Sequence, residues 1–333
     1  MFSSIDLFAG IGGIRLGFEN AFKGTIENVL TCEWDKPAQK TYRANFAGEY
    51  DIVGDIRDLD EKAVPSFDIC LAEFPCQAFS FAGTGGGLDD NFKGYNRGVL
   101  FLEVIRICHY HKPKVIFCEN VKGLVSHDRG KTFRIILNSF AEIGYKVFWK
   151  VLNSKDFGVP QNRERVYLVA FRQDLGIDEF KFPTGDGKVS YIRDIMENAP
   201  IPAKYYLSEN YLESLRKYKA KQMLEGNGYG YVLRDINSIA GTIVCGGMGH
   251  ERNLIVDDRS HIMVSETYKG AVNKENIRKM TPREWARLQG FPNSFKLILS
   301  DTQLYKQLGN TVTVPVIEAI ARKVKDALEK DIL

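Results

Sequence analysis

Short apolar runs alternate with stretches of helical periodicity over residues 1–171. Residues 4–7, 29–32, 68–72, 114–118, 145–152 and 165–171 read as strands, being short, apolar and bounded by polar or turn-forming positions. Between them, residues 14–22, 37–46 and 99–110 carry apolar side chains at helical spacing. This alternation predicts an α/β fold: a mostly parallel, twisted sheet with helices on both faces. In such sheets ligands bind beyond the carboxyl ends of the strands, so chemistry is expected there.

The pattern weakens near residue 183. Residues 183–283 are rich in Lys, Tyr, Asn and Gly, and their periodicity is poor. They predict a smaller, irregular domain. Residues 305–328 return to a loop and a strongly amphipathic helix, with Val316, Ile317, Ile320, Val324 and Leu328 on one face. That helix is expected to pack back on the first domain. The expected division is therefore 1–182 plus 305–333, then 183–283, with 284–304 as a linking hinge. No internal repeat or low-complexity segment is present.

Composition narrows the function classes. The 333 residues are 44% hydrophobic, enough for a sizeable core, and the net charge is only +3. A basic face for nucleic acid would therefore have to be local, drawn from the 45 Lys and Arg. There is no apolar run of membrane-spanning length. The start, Met1-Phe2-Ser3-Ser4-Ile5-Asp6, lacks the basic head and apolar stretch of a secretory signal. A protein of the cytosol, without membrane contact, is expected. The six cysteines show no C-x-x-C spacing, so neither a metal site nor a disulfide framework is expected. Most sit in apolar runs, as reduced core thiols do. Cys76 differs: Pro75 precedes it and a glycine-rich stretch follows it.

Asp6-Leu7-Phe8-Ala9-Gly10-Ile11-Gly12-Gly13 follows the first strand and opens the first helix. Glycines there let backbone approach a ligand, and the helix start offers free N–H groups. Arg15 stands where a dinucleotide fingerprint would have its third glycine. Cys32-Glu33-Trp34-Asp35 ends the second strand, where an acidic residue about 20 residues past the glycines can bind ribose hydroxyls. Trp34 could stack on a purine, and Asp55, after Gly54, could accept an adenine amino group. The alternatives are helix caps for Asp35 and Asp55 and a core role for Trp34. The combination favours an adenosine-type ligand.

Three further motifs carry chemistry: Ala72-Glu73-Phe74-Pro75-Cys76-Gln77-Ala78-Phe79-Ser80, Val115-Ile116-Phe117-Cys118-Glu119-Asn120-Val121, and Gln161-Asn162-Arg163-Glu164-Arg165. A cysteine nucleophile, a carboxyl group able to carry a proton, and two arginines at strand ends suit attack on an electron-poor ring. The thiolate needs an electropositive surrounding, which Arg163 or a helix end could supply. Glu119 is placed to protonate a ring nitrogen, and burial would help it hold a proton near neutral pH. Arg165 would hold the ring oxygen and its developing charge. Each residue alone has a bland reading: a structural cysteine, a helix cap, a solvated strand end.

Taken in order, these motifs resemble those of the bacterial DNA cytosine-5 methyltransferases, of the small type II restriction–modification kind. Arg283-Glu284-x-Ala286-Arg287-x-x-Gly290-Phe291-Pro292 and Gln307-x-Gly309-Asn310-Thr311-Val312 look like that family's last two motifs. The resemblance covers nearly the whole chain apart from residues 183–275. It implies a Rossmann-like S-adenosylmethionine-dependent methyltransferase domain and a smaller target-recognition domain. S-adenosyl-L-methionine would be the donor and S-adenosyl-L-homocysteine the product, with no metal. Phe8, Glu33, Trp34, Asp55 and Ile56 carry over as adenosine contacts. Gly10 and Gly12 would line the methionine end, Asn310 and Thr311 would close the pocket, and Asn120 would buttress the site.

The implied substrate is double-stranded DNA, bound by a monomer, with a cognate restriction endonuclease encoded separately. The target carbon is hidden in the duplex, so the base must be flipped out. Residues 77–98 suit a moving lid with six glycines; Gln77, Ser80, Lys93 and Arg97 are candidate DNA contacts there. In the variable region, Arg234, Thr242, His250 and Arg252 are candidates, since arginine reads guanine well. Solvated loop charges are the alternative. Two departures stand out. Thr242-Ile243 replaces the family's usual Thr-Leu, and Glu73 occupies a place usually held by a small residue; Glu73 is expected to point away from Cys76.

A tRNA-methylating branch would favour Pro-Pro-Cys-Gln and a Cys-Phe-Thr tripeptide, whereas this chain has Phe74 before Pro75 and no such tripeptide. A non-catalytic binder would be expected to have lost Cys76, Glu119 or Arg165. The imperfect glycine motif argues against a nicotinamide dehydrogenase.

Overall fold

The computed structural model describes residues 1–46, 51–75, 91–92, 95–96, 100–185, 187–246, 250–258, 266–267 and 270–330. The chain divides into two compact units. The first comprises Met1–Asn153, Glu164–Gly185 and Thr311–Leu333; the second comprises Ser154–Arg163 and Asp186–Asn310.

The first unit is built on a seven-stranded sheet. Its strands are β1 (Phe2–Leu7), β2 (Ile26–Cys32), β3 (Ile52–Val53), β4 (Ile69–Ala72), β5 (Val115–Val121), β6 (Tyr145–Asn153) and, beyond a two-residue strand β7 (Gln161–Asn162) of the second unit, β8 (Glu164–Arg172). The order across the sheet is β3-β2-β1-β4-β5-β8-β6. The first five strands are parallel. Strand β8 runs antiparallel to both β5 and β6. Only ten residues separate the ends of β6 and β8, too short for a crossover helix, so the chain must double back.

The central strands are buried on both faces, as continuous apolar runs demand. On one face, α3 (Leu100–His111) and α4 (Lys131–Glu142) bury Phe101, Val104, Ile107, Phe133, Ile136 and Phe140 against Ile5, Leu7, Cys70, Ile116 and Leu168. On the other face, Phe18 of α1 (Gly13–Phe22) meets Phe117 of β5 edge-on, with ring centroids 5.2 Å apart. The last helix, α8 (Val314–Lys330), joins the same unit; its Val316, Ile317, Ile320, Val324 and Leu328 are all buried. Gly17 lies so close to Ile317 that a Cβ there would come within 2.6 Å of it. The expected amphipathic helix is present, on the face its pattern predicts.

The second unit is less regular. A three-stranded sheet joins β9 (Leu233–Arg234), β11 (Leu254–Val256) and β12 (Ile277–Arg278). Strand β7 pairs in parallel with β10 (Ala240–Gly241). Helix α5 (Glu209–Leu224) is capped by the Ser208 hydroxyl and buries Leu212 and Leu215 against Leu207, Leu254 and Ile277. Helices α6 (Pro282–Leu288) and α7 (Asp301–Asn310) complete it. Residues 284–304, read from sequence as a linking hinge, contribute α6 and the start of α7 to this unit.

Candidate active site

In the first unit the candidate chemistry gathers at the carboxyl ends of β1, β2, β4 and β5. Strand β8 begins there because it is antiparallel: Arg165 pairs with Val121 at the end of β5. Its Nε lies 3.2 Å from Oε1 of Glu119, two residues back on β5. Glu119 is 4% exposed. The pair sets a carboxyl group against a guanidinium in a setting largely shielded from water, where their contact is stronger than it would be at the surface. Asn120 is fully buried and donates from Nδ2 to the carbonyl of Phe74 at 3.1 Å, while its Oδ1 accepts the Val121 N–H at 2.9 Å. The side chain thus ties the Glu119 strand to the backbone that leads into Pro75.

Cys76, Gln77, Ser80, Lys93 and Arg97 lie outside the described residues, as does the His250 side chain. Glu73 donates its backbone N–H to the carbonyl of Leu7 at 3.3 Å, at the junction of β4 and the glycine loop. The described cysteines of the sheet and of α3 behave as expected: Cys32, Cys70, Cys108 and Cys118 are buried. Burial pushes Cys32 up to about 12 and holds Cys70 and Cys118 well above the usual thiol range. They are inert as nucleophiles.

The glycine loop is shaped by left-handed backbone. Phe8, Gly10 and Gly12 have φ of 56°, 55° and 85°. Phe8 pays a steric cost that glycine does not. A Cβ on Gly12 would overlap the Phe46 ring and reach 3.0 Å from Tyr42, whereas one on Gly10 would meet nothing within 4 Å. Open space therefore lies beside Gly10. Glu33 bridges this loop to the end of β2: Oε2 accepts the Gly10 N–H and Oε1 the Asp35 N–H, both at 2.7 Å. Trp34 next to it is 61% exposed. Asp55 caps a short helical turn and is forked by Arg57, which holds its carboxyl below the usual range; Ile56 is buried. Open space by Gly10, an exposed aromatic residue and two carboxylates fit an adenosine-bearing ligand.

Sequence reasoning missed what lies beneath that loop. Asp6, 1% exposed, accepts from the hydroxyl of Tyr42 on α2 (Lys36–Asn45) at 3.1 Å. That hydroxyl also meets Nη1 of Arg15 at 3.2 Å and the Thr31 hydroxyl at 3.0 Å. Burial raises Asp6 to about 7, against the opposing pull of Arg15 and the Tyr42 hydrogen bond; the carboxylates of Glu33 and Glu19 add to the rise. The signal available was Arg15 in a glycine's place: a charged residue on the inner face of α1 needs a buried partner.

The remaining candidates belong to the second unit. Arg163 is 2% exposed and donates from Nη1 to the carbonyl of Ile243 at 3.1 Å. The Thr242 hydroxyl donates to the carbonyl of Asn162 at 2.6 Å. Arg234 donates weakly to the Arg252 carbonyl at 3.4 Å, and the Arg252 side chain is exposed. Asn310 accepts from the Cys245 thiol at 2.6 Å. Thr311, the first residue back in the other unit, is 3% exposed. Among the described residues no His, Cys, Asp and Glu cluster has the makings of a metal site.

Comparison with known proteins places the chain in a family. A profile of the C-5 cytosine-specific DNA methylase family matches residues 2–326. The type II methyltransferase M.HpaII of Haemophilus parainfluenzae is 48% identical over 332 residues, which cover 98% of this chain and 90% of that protein. M.HhaI of Haemophilus parahaemolyticus is 37% identical over 97% of this chain and 94% of its own. Among solved structures, the Entamoeba histolytica methyltransferase EhMeth superposes with a TM-score of 0.74 at 22% identity, covering 100% and 99% of the two chains. The Schizosaccharomyces pombe Dnmt2 methyltransferase gives 0.70 at 20% identity over 99% of each chain. At those identities the structural likeness speaks for the fold. The profile match across almost the full length and the close relatives together establish that the chain belongs to the C-5 cytosine-specific DNA methylase family.

Proposed function

We propose that this chain methylates carbon 5 of a cytosine flipped out of duplex DNA, at one short recognition sequence. It would serve as the modification half of a restriction system, a monomer on DNA in the bacterial cytosol, with its endonuclease encoded separately. The observation that carries the reading is the Glu119–Arg165 pair, joined through Asn120 to the backbone entering Pro75-Cys76.

Carbon 5 of cytosine is a poor nucleophile. Addition of the Cys76 thiolate to carbon 6 forms a C–S bond and moves the ring's double-bond electrons toward carbon 5. Glu119 gives a proton to ring nitrogen 3 as that addition occurs. Arg165 holds the Glu119 carboxyl in place and presents a cation to the ring oxygen. Arg163 keeps the surroundings of the thiolate electropositive. S-adenosylmethionine, when bound, supplies the methyl group that carbon 5 takes up. Glu33 and Asp55 would accept hydrogen bonds from its adenosine, Trp34 would stack on its purine, and the Gly10 backbone would leave room for its methionine end. Asn310 and Thr311 would close over it. A base then removes the carbon-5 proton, the C–S bond breaks, the thiolate returns, and nitrogen 3 gives its proton back to Glu119. Residues 183–283 read the sequence, with Arg234, Thr242 and Arg252 as contacts. No helix of the described residues is long and apolar enough to cross a membrane.

The test is transfer of a labelled methyl group from S-adenosylmethionine to mixed-sequence duplex DNA, with base-resolution sequencing of the product. Methylated cytosines confined to one short motif are expected. Donor binding without transfer to DNA, or transfer to tRNA instead, would overturn the proposal.

A further inference from the structure

The second unit contains a buried amide pair that nothing in the reaction scheme uses. Gln161 and Gln289 are both 0% exposed. Gln161 Nε2 donates to the carbonyl of Leu288 at 3.0 Å and to Oε1 of Gln289 at 3.1 Å. Gln289 Nε2 donates to the carbonyl of Leu308 at 2.9 Å. The pair thereby fastens β7 to the last turns of both α6 and α7. The free end of Gln161, its Oε1, accepts the N–H of Ile243 at 3.1 Å.

Ile243 is where this frame meets both candidate functions. Its N–H is held by Gln161, and its carbonyl holds Nη1 of Arg163 at 3.1 Å. It follows Thr242, a candidate DNA contact whose hydroxyl is bound to the Asn162 carbonyl at 2.6 Å. It precedes Val244 and Cys245, whose backbone abuts Gly309: a Cβ there would come within 2.5 Å of the Cys245 nitrogen. The Cys245 thiol then reaches Asn310. One peptide unit thus sits between the segment that would read DNA, an arginine assigned to the reaction, and a residue assigned to the donor pocket.

We propose that Gln161 is a positioning residue that couples sequence reading to catalysis through the Ile243 peptide and Arg163. The inference rests on the proposed DNA-methylating function. A fully buried, fully bonded amide has one low-energy orientation, and close packing leaves little slack to absorb a shift. Displacement of Thr242 by a wrong base pair must therefore move the Ile243 carbonyl, and Arg163 with it. A misplacement of about 1 Å can cost on the order of 100-fold in rate. The coupling would add to discrimination beyond what binding alone supplies.

The experiment compares wild type, Gln161→Met and Gln161→Glu on the cognate duplex and on duplexes with one base pair changed in the recognition motif. For Gln161→Met we expect kcat on cognate DNA to fall by roughly 10- to 100-fold. KM for S-adenosylmethionine should stay within about threefold, and the cognate-to-mismatch ratio of kcat/KM should fall by about tenfold. Gln161→Glu keeps the acceptor for Ile243 but, when ionised, has no donor for Leu288. Its activity should recover as pH falls and the acid regains a donor, along a profile the wild type does not share. Equal losses on cognate and mismatched DNA, or a Gln161→Glu pH profile that parallels wild type, would overturn the inference. Should Gln161→Met fail to fold, the Gln161→Glu profile decides alone. Wild-type protein that methylates no duplex would sink the DNA reading itself, and this inference with it.

Discussion

Arg278 lays its guanidinium across Glu284, with Nη1 and Nη2 meeting the two carboxylate oxygens at 2.7 and 2.8 Å. Its Nε turns to Asp257 at 2.8 Å, and none of the three side chains is more than 2% exposed. Glu284 also accepts the backbone N–H groups of Thr281 and Glu197 at 2.8 and 3.1 Å. With the Thr281 hydroxyl capping the same helix start, it closes a capping box at the head of α6. This constellation locks β11, β12 and α6 together in a unit with few long strands. Removing Arg278 leaves two buried carboxylates without the cation they share.

Arg278→Met should therefore destabilise the protein by about 3–5 kcal/mol, because Asp257 and Glu284 stay buried without their cation. The triple replacement Asp257→Leu, Arg278→Met and Glu284→Leu should cost clearly less, because no charge of the cluster is left stranded. Urea unfolding followed by Trp285 fluorescence reads this directly; Trp285 is 1% exposed and its ring centroid lies 4.8 Å from that of Tyr305. Equal losses in Arg278→Met and in the triple variant would refute this account.

Gly12 must be glycine for two separate reasons: its φ of 85° and the Phe46 and Tyr42 rings against its α-carbon. Gly12→Ala should cost about 2–4 kcal/mol of stability, combining backbone strain and overpacking. It should also weaken donor binding, since the loop cannot keep its path. Gly10→Ala has space but not backbone freedom, so the loss of stability should be smaller. Thermal melting and calorimetric titration with S-adenosylmethionine separate the two.

The parts of this molecule that could be read from sequence were those governed by local periodicity. The strands ending at Leu7, Cys32 and Ala72 were legible because double-sided burial leaves unbroken apolar runs. Val316, Ile317 and Ile320 were legible because a helix has one face. The reversed direction of β8 was not, since strand direction depends on the length of a connection and not on residue type. Glu119 and Arg165 could be named separately, but their contact follows from that reversal, which sets Arg165 beside the end of β5. Asp6, Arg15 and Tyr42 come from three elements, and each alone reads as an ordinary polar residue. The Gln161–Gln289 bond spans 128 positions of sequence, far beyond any window of periodicity. Residues 183–283 showed only irregularity, because polar anchors such as Arg278–Glu284 replace a large apolar core there.

Asp6 gives stability a pH dependence of definite sign. An aspartate in the unfolded chain loses its proton near 3.8, whereas folded Asp6 keeps it up to about 7. Between those values the folded state binds more protons than the unfolded state, so stability falls as pH rises and levels off above about 7. The full effect is on the order of 4 kcal/mol. Asp6→Asn retains an acceptor for Tyr42 but cannot ionise. It should flatten this slope, with its advantage over wild type greatest above pH 7 and vanishing below pH 4. Urea unfolding of both proteins at pH 5 and pH 8 checks it. A slope unchanged by the substitution would show that Asp6 ionises normally in the folded state.

The Glu119–Arg165 contact predicts a division of labour that two substitutions can expose. Glu119→Gln preserves shape and hydrogen bonding but holds no transferable acid, so methyl transfer should fall by roughly 10²- to 10⁴-fold. Arg165→Lys keeps the charge but loses the planar fork that reaches Glu119 from Nε while leaving other nitrogens for the ring oxygen. It should also be severely impaired, by at least about 10²-fold. Neither residue lies in the glycine loop, so both variants should bind S-adenosylmethionine within about threefold of wild type. Duplexes bearing 5-fluorocytosine separate addition from transfer: fluorine cannot leave carbon 5 as a proton does, so the cysteine adduct accumulates after methylation. Wild type should form this adduct rapidly and Glu119→Gln slowly, because protonation at nitrogen 3 assists the addition itself. Normal adduct formation by Glu119→Gln, with only turnover reduced, would move Glu119 from the first step of the reaction to a later one.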